Sequence, residues 1–93
     1  MYALVFDLVV TEVARHHPRG VPCAYADAGA ILARRGFRQA QGSLYLTDHE
    51  DMANVFVAMQ ELSACAWFRH SVRYIRACRI EQWSDLTVLA RAT

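Results

Sequence analysis

Apolar residues fall along the chain in short blocks whose period switches between that of a strand and that of a helix, and the first block is the most apolar. Met1 to Val10 reads as a strand buried on both faces, with Tyr2, Leu4, Phe6 and Leu8 on one side and Ala3, Val5 and Val9 on the other. Asp7 interrupts it. A carboxylate between Phe6 and Leu8 loses hydration on folding and needs a hydrogen-bonding partner, a bound cation or an opening to solvent. Two readings stay open: a structural aspartate that caps the following loop, and a catalytic carboxylate held where a substrate reaches it.

Thr11 to Gly20 contains Arg15-His16-His17-Pro18-Arg19-Gly20, polar and basic with two breakers, which predicts a loop. Adjacent His16 and His17 do not face one metal from a regular element, and no carboxylate follows at ligand spacing, so phosphate contact or plain solvation suits them better than metal binding. Pro22 fits a first helical turn. Tyr25, Ala28, Ile31, Leu32 and Arg35 then recur at helical spacing up to Gly36, which reads as the C-cap. The small residues Ala24, Ala26, Ala28, Gly29 and Ala30 let this helix lie close to a sheet.

Phe37 to Thr47 is a strand region, and Gly42 in its middle predicts a bend, with Ser43 opening the second piece. Thr47 with Glu50 forms a capping-box pattern, which accounts for the acidic cluster of Asp48, Glu50 and Asp51 without a metal. Met52, Val55, Phe56, Met59 and Leu62 then give an apolar helical stripe expected in the core, with Trp67 and Phe68 ending that helix. A last strand is expected from Val72 to Trp83, its half-open face carrying Arg73, Ile75, Ala77 and Arg79. Leu86 to Ala90 fits a short helix and an edge strand equally.

Strand, helix, strand, strand, helix, strand is the α+β ferredoxin-like order, βαββαβ, an antiparallel sheet with two helices on one face. In that topology the first and third strands are central neighbours, so Asp7 and Ser43 are expected to meet.

Composition narrows the function. A length of 93 residues predicts one domain spanning 1–93, and 55% hydrophobic residues on so small a body predict apolar surface facing a second copy, a homodimer. The formal charge of +1 gives no long-range pull toward nucleic acid, so RNA contact has to come from a local cluster. All ten basic residues are arginine, which suits phosphate contacts and also follows from genomic base composition. Cys23, Cys65 and Cys78 form no C-x-x-C pair, which argues against a disulfide framework and an iron-sulfur cluster and points to a reducing cytoplasm. Neither a signal peptide nor a membrane span is expected, and so no membrane partner.

Five separated blocks carry a resemblance: Met1-Tyr2-Ala3 leading to Phe6-Asp7-Leu8-Val9-Val10, then His17-Pro18, Gln41-Gly42-Ser43-Leu44-Tyr45, Glu50-Asp51-Met52-Ala53-Asn54, and Arg79-Ile80-Glu81-Gln82-Trp83-Ser84-Asp85. In this order they resemble the virulence-associated protein D (VapD) family over nearly the whole chain. The resemblance implies a ribonuclease that cuts RNA internally, mRNA included, acting as the toxin of a bacterial toxin-antitoxin pair with a cognate antitoxin protein. It also implies a fold similar to the small CRISPR-associated nucleases, which dimerise through the sheet and bring one strand-end aspartate from each subunit near the two-fold axis. Asp7 matches that aspartate, and Ser43 matches the serine after the bend.

Two mechanisms follow for Asp7. Paired aspartates bind a divalent cation such as Mg2+ and activate water, or Asp7 takes the proton of a ribose 2′-hydroxyl without a metal. Ser43 orients the aspartate or donates to a phosphate oxygen. Arg38, Arg73 and Arg79 are candidates for transition-state charge, and Tyr45 for stacking on an extruded base. The rival readings are a non-catalytic ferredoxin-like module that binds RNA or protein through its sheet, and a small-ligand sensor.

Overall fold

In the computed structural model, which describes residues 1–92, β1 (Tyr2–Leu8) lies inside a four-stranded antiparallel sheet. Its neighbours are β3 (Leu44–Thr47) and β4 (Val72–Arg79), and β2 (Phe37–Gln41) pairs with β3, giving the order β2-β3-β1-β4. This is the ferredoxin-like α+β arrangement.

The two-residue alternation of β1 decides which face is covered. Leu4, Phe6 and Leu8 are buried on one side against Ala24, Ala28, Ile31 and Leu32 of α2 (Val21–Arg34) and Val55, Ala58 and Leu62 of α3 (Met52–Ala64). Phe6 is the hub. Its ring lies 6.2 Å from Tyr25, 6.1 Å from Tyr45 and 5.7 Å from Phe68, the last contact edge-on. Truncating such a buried ring to alanine typically costs about 3–5 kcal/mol.

Gly36 follows the α2 C-cap Arg35 at φ +80°, and a Cβ there would approach His49 Nε2 to 2.9 Å, so the position favours glycine twice over. Gly42, at φ +48°, turns β2 into β3 as the bend expected there, although Ser43 belongs to the turn and the strand opens at Leu44.

Several local expectations are corrected. The segment expected as a loop from Thr11 holds a helix, α1 (Val10–His16), with only His17 to Gly20 left as a loop. The carbonyl of Val9 accepts from the N–H groups of Glu12 and Val13, Val13 is fully buried, and Glu12 approaches Arg15 and His16 on the next turn. A helix this short has little stability of its own, so burial of Val13 decides the matter. The cap of α3 is Asp51, which accepts from the N–H of Ala53; Thr47 instead accepts from the N–H of His49, and Glu50 takes the amino group of Met1.

Cys65 is extended at φ −80°, ψ 116°, so Trp67 and Phe68 belong to a separate helix, α4 (Ala66–Ser71). β4 stops at Arg79, short of Trp83, and the segment left undecided forms a helix, α5 (Thr87–Ala92). The Met and Phe stripe of α3 is split: Val55 and Leu62 are buried, while Met52 and Phe56 are exposed beside β4. Among the described residues β4 is an edge strand with no further strand on its outer side.

Candidate active site on the open sheet face

The face of the sheet away from α2 and α3 carries Val5 and Asp7 of β1, opposite Arg76 and Tyr74 of β4. Asp7 reaches this face because it alternates with Phe6 and Leu8. Its side chain is 39% exposed, so the opening to solvent is how the carboxylate avoids desolvation.

A bulge shapes the surroundings of Asp7. Asp7 pairs with Tyr74 and Leu8 with Val72, so Arg73 is an extra residue in the ladder. That extra residue brings the Arg73 guanidinium to 3.6 Å from Asp7 Oδ2, on the side to which simple alternation would not have assigned it. Three residues on, the Arg76 guanidinium lies 4.0 Å over the Tyr74 ring. The half-open face is therefore that of Tyr74, Arg76 and Cys78, while Ile75 packs toward the core and Ala77 toward the α3 side. A half-exposed carboxylate, two guanidiniums and an aromatic ring share one end of this face, whose other end, at Ala3 and Leu46, is buried.

The residues singled out from the sequence are distributed unequally. Ser43 lies next to the last register pair of β1 and β3, and its carbonyl accepts from the N–H of Phe6 at 3.3 Å, one residue from Asp7. Among the described residues no hydrogen bond joins the Ser43 and Asp7 side chains. Arg73 stands beside Asp7. Arg79 does not: it pairs with Tyr2 at the far end of β1, about 17 Å away at ~3.4 Å per residue, and lies 3.8 Å from Glu50. Arg38, on edge strand β2, is paired with Asp48 at 3.1 Å. Tyr45 is on the helix-covered side, stacked on Phe6. Tyr74 and Arg76 were missed; their signal was the same strand alternation taken in the other phase.

His17 is buried and unavailable to a phosphate at the surface. Its Nδ1 accepts from the N–H of Arg19 at 3.0 Å, so Nε2 carries the proton and donates to Asp27 Oδ2 at 2.8 Å. His16 stacks on His70 at 4.7 Å. Among the described residues, no group of three His, Cys, Asp or Glu side chains is placed to hold a metal ion. Asp7, whose neighbour is a cation, does not by itself make a fit for Mg2+.

The fold and this surface define a class first: a ferredoxin-like α+β module with a solvent-reachable carboxylate at the end of a central strand, in a cationic and aromatic setting. The relatives narrow it. The chain is 56% identical to a protein of Neisseria gonorrhoeae named "Endoribonuclease VapD homolog", across 99% of this chain and 100% of that one. It is 56% identical to "Endoribonuclease VapD" of Haemophilus influenzae (98% of this chain and 99% of that one), and 36% identical to the Helicobacter pylori protein of that name (99% and 100%). No family model matches. The chain belongs to the VapD family.

Proposed function

We propose that this chain is an endoribonuclease that cleaves RNA phosphodiester bonds with Asp7 as its catalytic carboxylate. The observation that carries the reading is the ion pair of a half-exposed Asp7 with Arg73 at the strand bulge, a base and a phosphate-binding cation held side by side. The names of the relatives support the reaction class.

Asp7 accepts the proton of a ribose 2′-hydroxyl, and the 2′-oxygen bonds to the adjacent phosphorus as the bond from phosphorus to the 5′-oxygen of the next nucleotide breaks. That oxygen takes a proton from water while Asp7 returns its own to solvent. Products are a 2′,3′-cyclic phosphate and a 5′-hydroxyl. Arg73 and Arg76 offset the charge that gathers on the phosphoryl oxygens, Tyr74 offers a face for a neighbouring base, and the Ser43 hydroxyl donates to a phosphate oxygen. Within one chain Asp7 and Arg73 do not make a magnesium site, and attack by the 2′-hydroxyl needs none.

The test is cleavage of an end-labelled single-stranded RNA by wild type, Asp7→Asn and Ser43→Ala, with a second RNA carrying 2′-deoxyribose at the cut. Asp7→Asn should lower the rate by roughly 10²–10⁴-fold, the range for a lost general base. Ser43→Ala should lower it less, and the deoxy substitution should abolish the cut. Cutting of the deoxy substrate at the wild-type rate would discard attack by the 2′-hydroxyl.

The same reading places the enzyme as the toxin of a toxin-antitoxin pair, acting on mRNA in the cytoplasm as a homodimer. Family membership supports the toxin role, the free Cys23, Cys65 and Cys78 suit a reducing compartment, and exposed Met52, Phe56 and Leu86 supply apolar surface for a second copy. Growth arrest on expression, relieved by Asp7→Asn, checks the first, and sedimentation of the purified chain checks the last.

A further inference from the structure

A cleft of about 460 Å³ opens between α2 and edge strand β2, on the helix-covered side of the sheet and away from Asp7. Its construction is selective. From α2 it takes Ala26, Gly29 and Ala33, which share a helix face and offer no side chain to fill the gap. Tyr25, Phe37 and Tyr45 supply aromatic walls.

Tyr45 is only 5% exposed, and its hydroxyl lies over Gly29, where an added Cβ would come within 3.0 Å of it. Among the described residues this hydroxyl makes no hydrogen bond, and its oxygen is open to the cleft rather than sealed from solvent. Burial raises the Tyr45 phenol above its ordinary pKa, so it remains a donor at neutral pH. Gln39, at the rim, donates through Nε2 to the carbonyl of Gly42 at 2.7 Å, leaving its carbonyl oxygen as an acceptor for a ligand. Arg38 also lines the cleft, with its guanidinium held by Asp48 at 3.1 Å. A flat aromatic slot, a hydroxyl donor open to it and an amide acceptor at the rim match a planar heterocycle with donor and acceptor groups on its edge.

We propose that this cleft is a nucleobase pocket that takes one base of the RNA substrate, upstream or downstream of the bond cut at Asp7. The proposal rests on the RNA-cleaving reading. Gln39 is level with Tyr45 and Leu4, so the cleft lies two strands across and three residues along from Asp7. At about 4.8 Å per strand and 3.4 Å per residue that is roughly 14 Å in the sheet plane. A single strand that runs from Asp7 to the cleft has to round β2, on whose outer edge the described residues place no further strand.

The experiment has two arms. In the first, catalytically silenced Asp7→Asn protein is titrated with the four nucleoside 5′-monophosphates while the aromatic resonances are followed by NMR. One base should bind saturably and shift the Tyr25, Phe37 and Tyr45 rings. Ala33→Leu and, separately, Ala26→Leu fill the cleft from exposed helix positions and should each weaken binding at least tenfold with melting unchanged; two fills keep a folding defect in either from deciding the result. Tyr45→Phe, which keeps the ring on Phe6, should weaken the preferred base and leave the others alike. Saturation by none of the four, or saturation indifferent to both fills, overturns the pocket.

In the second arm, wild type cuts a randomised RNA pool. A base preference a few nucleotides from the cut, erased in Ala33→Leu, is expected. A preference that survives both fills while the mononucleotide is still displaced by them makes the occupant a free nucleotide and overturns the assignment to RNA. If wild type cuts no RNA, the ribonuclease reading falls, and with it the RNA occupant, while the titration still decides whether the cleft takes a base.

Discussion

His17 is held from both ring nitrogens, by the Arg19 N–H on Nδ1 and by Asp27 on Nε2, with the Trp67 ring edge-on at 4.9 Å. The clip closes the turn from α1 to α2, so its strength is a matter of folding rather than of chemistry on RNA. The hydrogen bond from His17, with the Arg19 guanidinium in support, holds the Asp27 carboxyl below its ordinary pKa. A carboxyl depressed in the folded state binds fewer protons there than when unfolded, so its contribution is complete above the unfolded aspartate's pKa of about 3.9 and is lost as pH falls through the lower folded value. Asp27→Asn should therefore melt lower than wild type at pH 7, with the gap closing as pH is taken from 5 toward 3. A gap in melting temperature that stays constant over that range would remove the ionised carboxylate from the account. At this scale the sequence singled out Asp7 because it breaks an apolar run, and Ser43 only through the strand order. The placement of Arg73 was hidden: a one-residue bulge moves it onto the Asp7 side, and no turn-forming residue marks that bulge.

Helices and strands were legible where a repeated apolar face meets the sheet, as in α2 and β1, and illegible where a single contact decides. α1 exists through Val13, one buried residue within a stretch whose histidines, proline and glycine signal a loop. The cap of α3 is a similar case, since Thr47-x-x-Glu50 and Asp51 compete for the same role by spacing alone. Thr47 lies at the end of β3, so its hydroxyl is committed to the turn, whereas Asp51 has the extended backbone of an N-cap at φ −95°, ψ 113° and its carboxylate is 2.9 Å from the Ala53 nitrogen. Asp51→Ala should cost about 1 kcal/mol in urea unfolding, the usual worth of such a cap. Glu50→Gln should cost less, because Glu50 serves the chain terminus rather than the helix. An equal loss from both would restore the capping box.

For the molecule as a whole, the balance of charge sets how RNA is held. A net charge of +1 spread over 93 residues attracts a polyanion weakly at long range, so affinity has to come from the few arginines that line its path. Arg35, Arg38 and Arg79 have carboxylate partners in Glu61, Asp48 and Glu50, whereas Arg76 is exposed over Tyr74 and Arg73 shares a face with the carboxylate that must meet the substrate. Two phosphate contacts, from Arg73 and Arg76, release counterions in proportion: for a single strand, log Kobs should fall with log salt at a slope of about −1.4, from ~−0.7 per contact. Measured on Asp7→Asn with a short RNA, that slope should become shallower by about 0.7 in either Arg73→Ala or Arg76→Ala, and neither change should shift the melting temperature, since both side chains are exposed. A slope several times steeper would mean that arginines remote from Asp7 also meet phosphates, as a strand running on over β2 and past Arg38 would require. The salt slope thus measures how much of the surface RNA crosses, and the near-neutral composition makes each added contact visible in it.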